Sequence, residues 1–279
     1  MTLIKYPMTK DIVCVRGGGD LATGVIAKLY HAGYRVLICE IEKPTAIRTT
    51  LALSSCIFKG EFQVEDVFAK HCSNNIEEIN SFWKEGFVPV IIDPNATIIK
   101  TIKPDIVIDA ILAKKNLGTT IDMAKIVIGM GPGFRAGEDC HVVIETKRGH
   151  KLGTLIYSGS ATANTGIPGV IAGKSSERVL RAPKDGNMRS LCKIGDTILE
   201  NEPILEVDNE QLLAPFTGII RGLLPDNFKV FKGMKIGDID PRELDKDNIY
   251  NISDKAKALG GAVMDAIATL SYRESIKKS

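Results

Sequence analysis

Apolar and polar positions alternate in two regimes along this chain. In the first, short apolar runs are separated by amphipathic stretches. Asp11–Val15 predicts a strand, and Asp20–Ala32 predicts a helix ended by Gly33. Arg35-Val36-Leu37-Ile38-Cys39 predicts a second strand, Cys56–Phe58 a short strand and Val64–His71 a helix. Ile76–Lys84 predicts a helix closed by Gly86, and Val88–Ile92 and Asp105–Ile108 are β-rich runs stopped by Asp93 and Asp109. Apolar strands divided by helical stretches indicate a parallel sheet covered by helices.

From about residue 126 helix gives way to strands among glycine-rich loops: Ile126–Ile128, Cys140–Glu145 and Leu152–Tyr157. After about residue 175 an internal repeat begins. Ala182-Pro-Lys-Asp-Gly186 recurs as Ala214-Pro-Phe-Thr-Gly218, an offset of 32 positions without gaps. The same offset pairs Arg189 with Arg221, Leu191 with Leu223, Ile198 with Val230, Ile204 with Ile236 and Val207 with Ile239. Apolar positions in register over such a span predict two copies of one β-unit packed together. Ser253–Leu270 predicts a closing helix capped by Ser253, weakened by Gly260-Gly261. The expected fold is α/β. A Rossmann-like parallel-sheet domain covers 1–125, a β-rich glycine-loop segment 126–175, a repeated β-module 176–243 and a helix 250–279.

The 279 residues, 44% hydrophobic and 25% charged, suit a folded chain with a sizeable core. A net charge of +2 gives no reason to expect nucleic acid as partner. No run approaches the ~20 apolar residues that span a bilayer, and Met1–Lys10 lacks the apolar core of a secretory signal. The six cysteines (14, 39, 56, 72, 140 and 192) form no Cys-x-x-Cys pair, so neither a zinc site nor a disulfide framework is expected. A cytoplasmic, reduced protein is the expectation, with a homo-oligomeric state left open.

Chemistry centres on Cys14-Val-Arg-Gly-Gly-Gly-Asp-Leu-Ala-Thr-Gly24. Gly17-Gly18-Gly19-Asp20-Leu21-Ala22 fits Gly-x-Gly-x-x-Ala between a strand and a helix, where small residues permit a tight turn, close approach of a pyrophosphate and helix–strand packing. Glu40 ends the second strand, about where a carboxylate would hold ribose hydroxyls. A turn whose glycines serve packing alone is the bland alternative, and Asp20 either caps the helix or crowds a phosphate. Gly129-Met-Gly131-Pro-Gly133-Phe134 is a second loop able to present amides, or a plain turn forced by Pro132. Asp109 ends a strand at the ligand-binding edge of such sheets, and Lys114, Lys115 and Asn116 follow it, as ligand contacts or as a solvated loop. His141 reads as a satisfied half-buried side chain, and His150 has no companion at metal-ligand spacing. No nucleophile or catalytic residue is assigned.

The paired halves, with Ala-Pro-x-x-Gly and Gly195-Asp-Thr-Ile198, resemble the barrel-sandwich hybrids of biotinyl and lipoyl carriers. Those domains hold their cofactor on a lysine between the halves, and here no lysine occurs from Ile194 to Phe228, so no biotin or lipoate attachment is implied. As a whole the chain resembles the accessory proteins of selenium-dependent molybdenum hydroxylases, distantly similar to the XdhC-like maturation factors. The stretches that carry the resemblance are Arg16–Gly24, Asp109–Asn116, Gly129–Gly137, His141–His150 and Asn164–Gly169, with Ala163 where proline is expected. It implies a maturation role in which Gly17–Gly19 and Glu40 bind a nucleotide, such as NAD(P), or the nucleotide or phosphate part of a molybdopterin cofactor. Asp109, Lys114, Asn116, Gly131 and Gly133 would complete the site. The implied partners are a molybdenum hydroxylase apoenzyme and its other maturation factors, with no nucleic acid and no membrane. An NAD(P)-dependent oxidoreductase and a non-catalytic docking scaffold are the alternatives.

Overall fold

A computed structural model describes residues 8, 10–164, 166, 169–242 and 249–278. The N-terminal stretch and parts of the Asn164–Gly169 motif lie outside the described residues. The chain divides into two compact units, one made of residues 1–44, 52–164 and 252–279, the other of 45–51 and 165–251.

The first unit holds a nine-stranded sheet. In chain order it comprises β1 (Ile12–Arg16), α1 (Asp20–His31), β2 (Arg35–Glu40), α2 (Cys56–Lys59), β3 (Glu61–Val64), β4 (Val67–His71), α3 (Ile76–Glu85), β5 (Val88–Ile92), α4 (Ile99–Ile102), β6 (Ile106–Asp109), β7 (Ile126–Met130), β8 (Val142–Ile144) and β9 (Leu155–Ile156), with α5 (Asp254–Lys278) closing the chain. The spatial order is β3-β4-β5-β2-β1-β6-β7-β8-β9. The run from β4 to β8 is parallel, while β3 and β9 are antiparallel edges. Its central strands are buried along nearly their whole length, as a parallel sheet with helices on its faces requires. The order of the strands in the chain reverses between β1 and β6.

Two elements differ from the sequence pattern. Val64–His71 is not helical: Val64 pairs with Val67 across a two-residue loop, and β3 and β4 form a hairpin. Val64, Val67 and Ala69 are buried while Phe68 and Lys70 are less so, a period of two that short windows confuse with a helical face. Cys56–Phe58, expected as a strand, lies in the helical turn α2. Strands β7, β8 and β9 continue the same sheet rather than forming a segment of their own. Ser253 caps α5 by accepting from the Ala256 amide at 3.2 Å. Gly260 serves the packing of α5 on α1: a Cβ there would lie 2.6 Å from the Gly24 carbonyl oxygen.

The second unit contains β10 (Val179–Arg181), β11 (Gly186–Ser190), β12 (Thr197–Ile198), β13 (Pro203–Val207), β14 (Glu210–Leu213), β15 (Gly218–Leu223), β16 (Lys229–Val230) and β17 (Lys235–Asp240). Two four-stranded antiparallel sheets run β10-β17-β15-β12 and β14-β13-β11-β16. Shifting by the 32-residue offset carries β10–β13 onto β14–β17 and maps each sheet's pairings onto the other's. Each sheet therefore draws strands from both copies of the repeat, and neither copy can complete its sheet alone. Ile204 and Ile236, Val207 and Ile239, and Ile198 and Val230 occupy matching buried places in one core. The glycine of Ala-Pro-x-x-Gly has the same task twice: a Cβ at Gly186 would meet the Asp208 carboxylate, and one at Gly218 the Asp240 carbonyl oxygen.

Candidate functional site at the β1–α1 turn

The carboxyl ends of β1 and β6 lie side by side, with Arg16 in register with Asp109. Arg16 is fully buried there. Its Nη1 lies 3.3 Å from Asp109 Oδ2 and also contacts the Thr119 hydroxyl, and its Nη2 donates to the carbonyls of Pro94 (3.1 Å) and Leu117 (2.9 Å). Thr119 Oγ1 donates to Asp109 Oδ2 at 2.6 Å, and the Ile111 amide donates to Oδ1 at 3.1 Å. Burial pushes the Asp109 carboxyl above its ordinary value, against the pull of the Thr119 hydroxyl and the Arg16 charge.

The glycine turn leaves β1 immediately after this pair. Gly17 has φ +92°, and a Cβ on it would lie 3.0 Å from Ile111 Cα; its amide donates to the Cys39 carbonyl at 2.9 Å. Gly18 is approached by the backbone of Ser54, whose amide donates to the Gly18 carbonyl at 2.9 Å. The Gly18 amide donates to Glu40 Oε1 at 2.7 Å, and Glu40 Oε2 accepts from the Ile41 amide at 2.9 Å. Burial raises the Glu40 carboxyl above the ordinary range against those two bonds. Gly19 lies half exposed at the mouth of α1 in extended backbone (φ −67°, ψ 178°). The first intrahelical bond runs from the Thr23 amide to the Gly19 carbonyl at 2.8 Å. The amides of Asp20, Leu21 and Ala22 precede it and have no acceptor within the helix.

Around this helix start stand Asp20, Glu145 and, from α5, Lys255. Burial, followed by the Arg148 charge, pushes the Lys255 ammonium below its ordinary value, while Asp20, Glu145 and Asp254 pull it back. Arg148 is held by Asp254 through two bonds of 2.7 Å. Glu145 accepts from the amides of Lys147 and Thr162, each at 2.8 Å. Burial raises its carboxyl, but these amides, that of Thr146 and the Thr162 hydroxyl outweigh burial and hold it below the ordinary range. Lys255 carries no sequence signal, since only the fold brings the first turn of α5 beside the first turn of α1.

The other expected contacts are placed differently. Asn116 bonds to the Thr119 backbone and to Asp139, holding the loop after β6. Lys114 is exposed at φ +66°. In the second glycine loop the Gly131 amide donates to the Ile144 carbonyl at 2.9 Å. Gly133, at φ +111°, admits the backbone of Lys115, which a Cβ would meet at 2.6 Å. Both glycines thus face neighbouring loops of the chain. His141 Nδ1 accepts from the Val127 amide, so it is a satisfied side chain between two strands. The Sγ atoms of Cys14 and Cys39 are 3.4 Å apart and share a hydrogen bond rather than a disulfide, and all six cysteines are free thiols. Among the described residues no cluster of His, Cys, Asp or Glu is arranged to hold a metal ion, and no helix is long and apolar enough to cross a membrane.

Comparison with known proteins gives one relative to report. A curated Escherichia coli (strain K12) protein titled "Uncharacterized protein YqeB" is 48% identical over 268 residues, which cover 96% of this chain and 49% of the relative. The chain therefore spans about half the length of the curated relative it matches. No family model matches the chain. No solved structure matches it either.

Proposed function

We propose that this chain is an accessory protein in the maturation of a selenium-dependent molybdenum hydroxylase, and that it binds a nucleotide, or the nucleotide part of a molybdopterin cofactor, at the amino end of α1. The carrying observation is the place of the three-glycine turn: it leaves β1 where the strand order reverses. Open α/β sheets bind ligands in the crevice outside the carboxyl ends of their strands at such a reversal. The six strands β5-β2-β1-β6-β7-β8 have the order of a Rossmann fold, 3-2-1-4-5-6 in their own chain sequence. The first unit is therefore read as Rossmann-like.

The amides of Gly17 and Gly18 are engaged within the protein, so on this reading the phosphate is held by the amides at Gly19, Leu21 and Ala22. Aligned helix dipoles favour an anion there. Glu40 remains suited to a ribose. A carboxylate offers about four acceptor sites, and the Gly18 and Ile41 amides use two, one on each oxygen. Each oxygen retains a lone pair for one hydroxyl of a vicinal diol. Lys255 would supply the cation that offsets Asp20 and Glu145 when a phosphate enters. The residues present thus fit the group, whose pterin or nucleotide chemistry is its own.

The repeated unit is read as a barrel-sandwich hybrid, supported by its two strand-exchanged sheets. Without a lysine between Ile194 and Phe228 its role is docking the client enzyme, not carrying biotin or lipoate. The chain acts in the cytoplasm on this reading. Reconstitution tests it. Apo-hydroxylase incubated with the cofactor should gain activity faster with this protein than without it, and Gly19→Val should abolish the gain. Equal activation with and without the protein would remove the maturation role.

A further inference from the structure

In the repeat-bearing unit five charged side chains converge on β17. Asp238 and Asp240, two positions apart, share one face of the strand, and both are buried. Arg221 donates through Nε to Asp238 Oδ1 at 3.1 Å, its Nη2 contacts Asp238 Oδ2, and its Nη1 lies 3.7 Å from Asp240 Oδ2. It sits in a bulge between Ile220 and Gly222 where β15 shifts register against β17, a geometry that re-aims a side chain. Arg242 holds Asp240 through bonds of 2.9 and 2.7 Å.

The third guanidinium is Arg178, in the turn Ser176–Arg178 that leads into β10. Its side chain is 5% exposed, against 23% for Arg221 and 49% for Arg242, so the three lead from the interior to solvent. Arg178 Nε donates to the Lys174 carbonyl (3.3 Å) and Nη2 to the Gly169 carbonyl (3.0 Å). Among the described residues its Nη1 is buried without a hydrogen-bond partner, 4.0 Å from Asp238 Oδ2. Three cations face two carboxylates, and the surplus charge falls to the most buried cation. A buried ionic donor left unsatisfied is costly, and a bound ion is one of its ordinary explanations.

The repeat supplies an internal comparison. The offset maps Arg221–Asp238 onto Arg189–Glu206, an ion pair of 2.8 Å whose arginine is exposed. There the position matching Arg242 is Glu210. The β-unit therefore needs one arginine–acid pair at this place; the other two arginines are additions in one copy only.

We infer that Arg178, Arg221 and Arg242 form a binding site for a small oxyanion, a phosphate or carboxylate group, with Arg178 Nη1 as its innermost donor. The site lies wholly in the second unit and is independent of the nucleotide reading. Calorimetric titration of the full chain with inorganic phosphate, and separately with acetate, tests it over a sodium chloride background of matched ionic strength. Saturable single-site binding of either anion is expected, and the tighter of the two identifies the group. Arg178→Met leaves two arginines against two aspartates, and the affinity should fall about tenfold or more, as for loss of a charged hydrogen bond. Arg242→Lys keeps a cation beside the buried Asp240 but loses the guanidinium fork, and it should also weaken binding while the urea midpoint stays near the parent's. Heats no different from those of chloride, or an affinity unchanged in both variants, overturn the inference.

Discussion

Replacing Asp109 with alanine separates a residue that faces ligand from one that holds the sheet ends together. Asp109 neutralises Arg16, which is buried beside it, and accepts from Thr119 and Ile111. In Asp109→Ala the Arg16 guanidinium keeps the Pro94 and Leu117 carbonyls but loses its only carboxylate among the described residues. Removing one partner of a buried ion pair costs about 3–5 kcal/mol, because the other charge stays out of water. With a urea slope of about 2 kcal/mol/M the unfolding midpoint should fall by about 2 M at an unchanged slope. Fluorescence of Trp83, the single tryptophan, reports the transition, since it is buried in the same unit. Arg16→Met with Asp109→Leu removes both charges and should recover most of the loss, as apolar replacements of buried pairs do. A midpoint for Asp109→Ala within about 0.3 M of the parent's, the range of ordinary surface substitutions, would refute the reasoning. So would a double variant no better than the single one.

Two neighbouring glycines in α5 should respond with opposite sign. Gly260→Ala forces a Cβ to 2.6 Å from a backbone oxygen of α1 and should cost about 1–3 kcal/mol of thermal stability. Gly261→Ala points into open space and should gain about 0.5–1 kcal/mol from helix propensity. The carboxyl of Glu145 is held below its ordinary value in the folded state. Its stabilisation is therefore complete above the unfolded value of about 4.3 and is lost as pH falls through the lower, folded value. Urea midpoints measured from neutral pH into that acid window should decline less steeply in Glu145→Gln than in the parent; parallel declines would contradict this.

The pattern of the chain displays much of this architecture. Apolar runs such as Arg35–Cys39 mark the parallel strands, because strands buried on both faces need no polar alternation. The 32-residue repeat is legible because each copy must fill one core with equivalent side chains. The β3–β4 hairpin escapes detection because Val64, Val67, Phe68 and His71 also fit a helical spacing. At the site, a glycine-rich turn signals that backbone comes close to something, without saying to what. At Gly17, Gly18, Gly131 and Gly133 that something is the chain's own loops and carboxylates, reached across 13 to 94 residues of sequence. Lys255 and the Arg16–Asp109 pair depend on tertiary contact alone, and no local spacing announces them.

Isothermal titration of the full chain with NAD(P), ATP, CTP and molybdopterin dinucleotides, repeated on Gly19→Val, examines the α1 amino end most directly. Gly19 already has backbone angles that valine adopts, so the variant should fold, at a cost of about 1 kcal/mol for the poorer helix cap. At least one of these ligands should bind the parent, with the variant's affinity reduced by about tenfold or more as the added side chain crowds the phosphate. No binding by any of them, or a bound ligand indifferent to valine at this position, would contradict a phosphate site there.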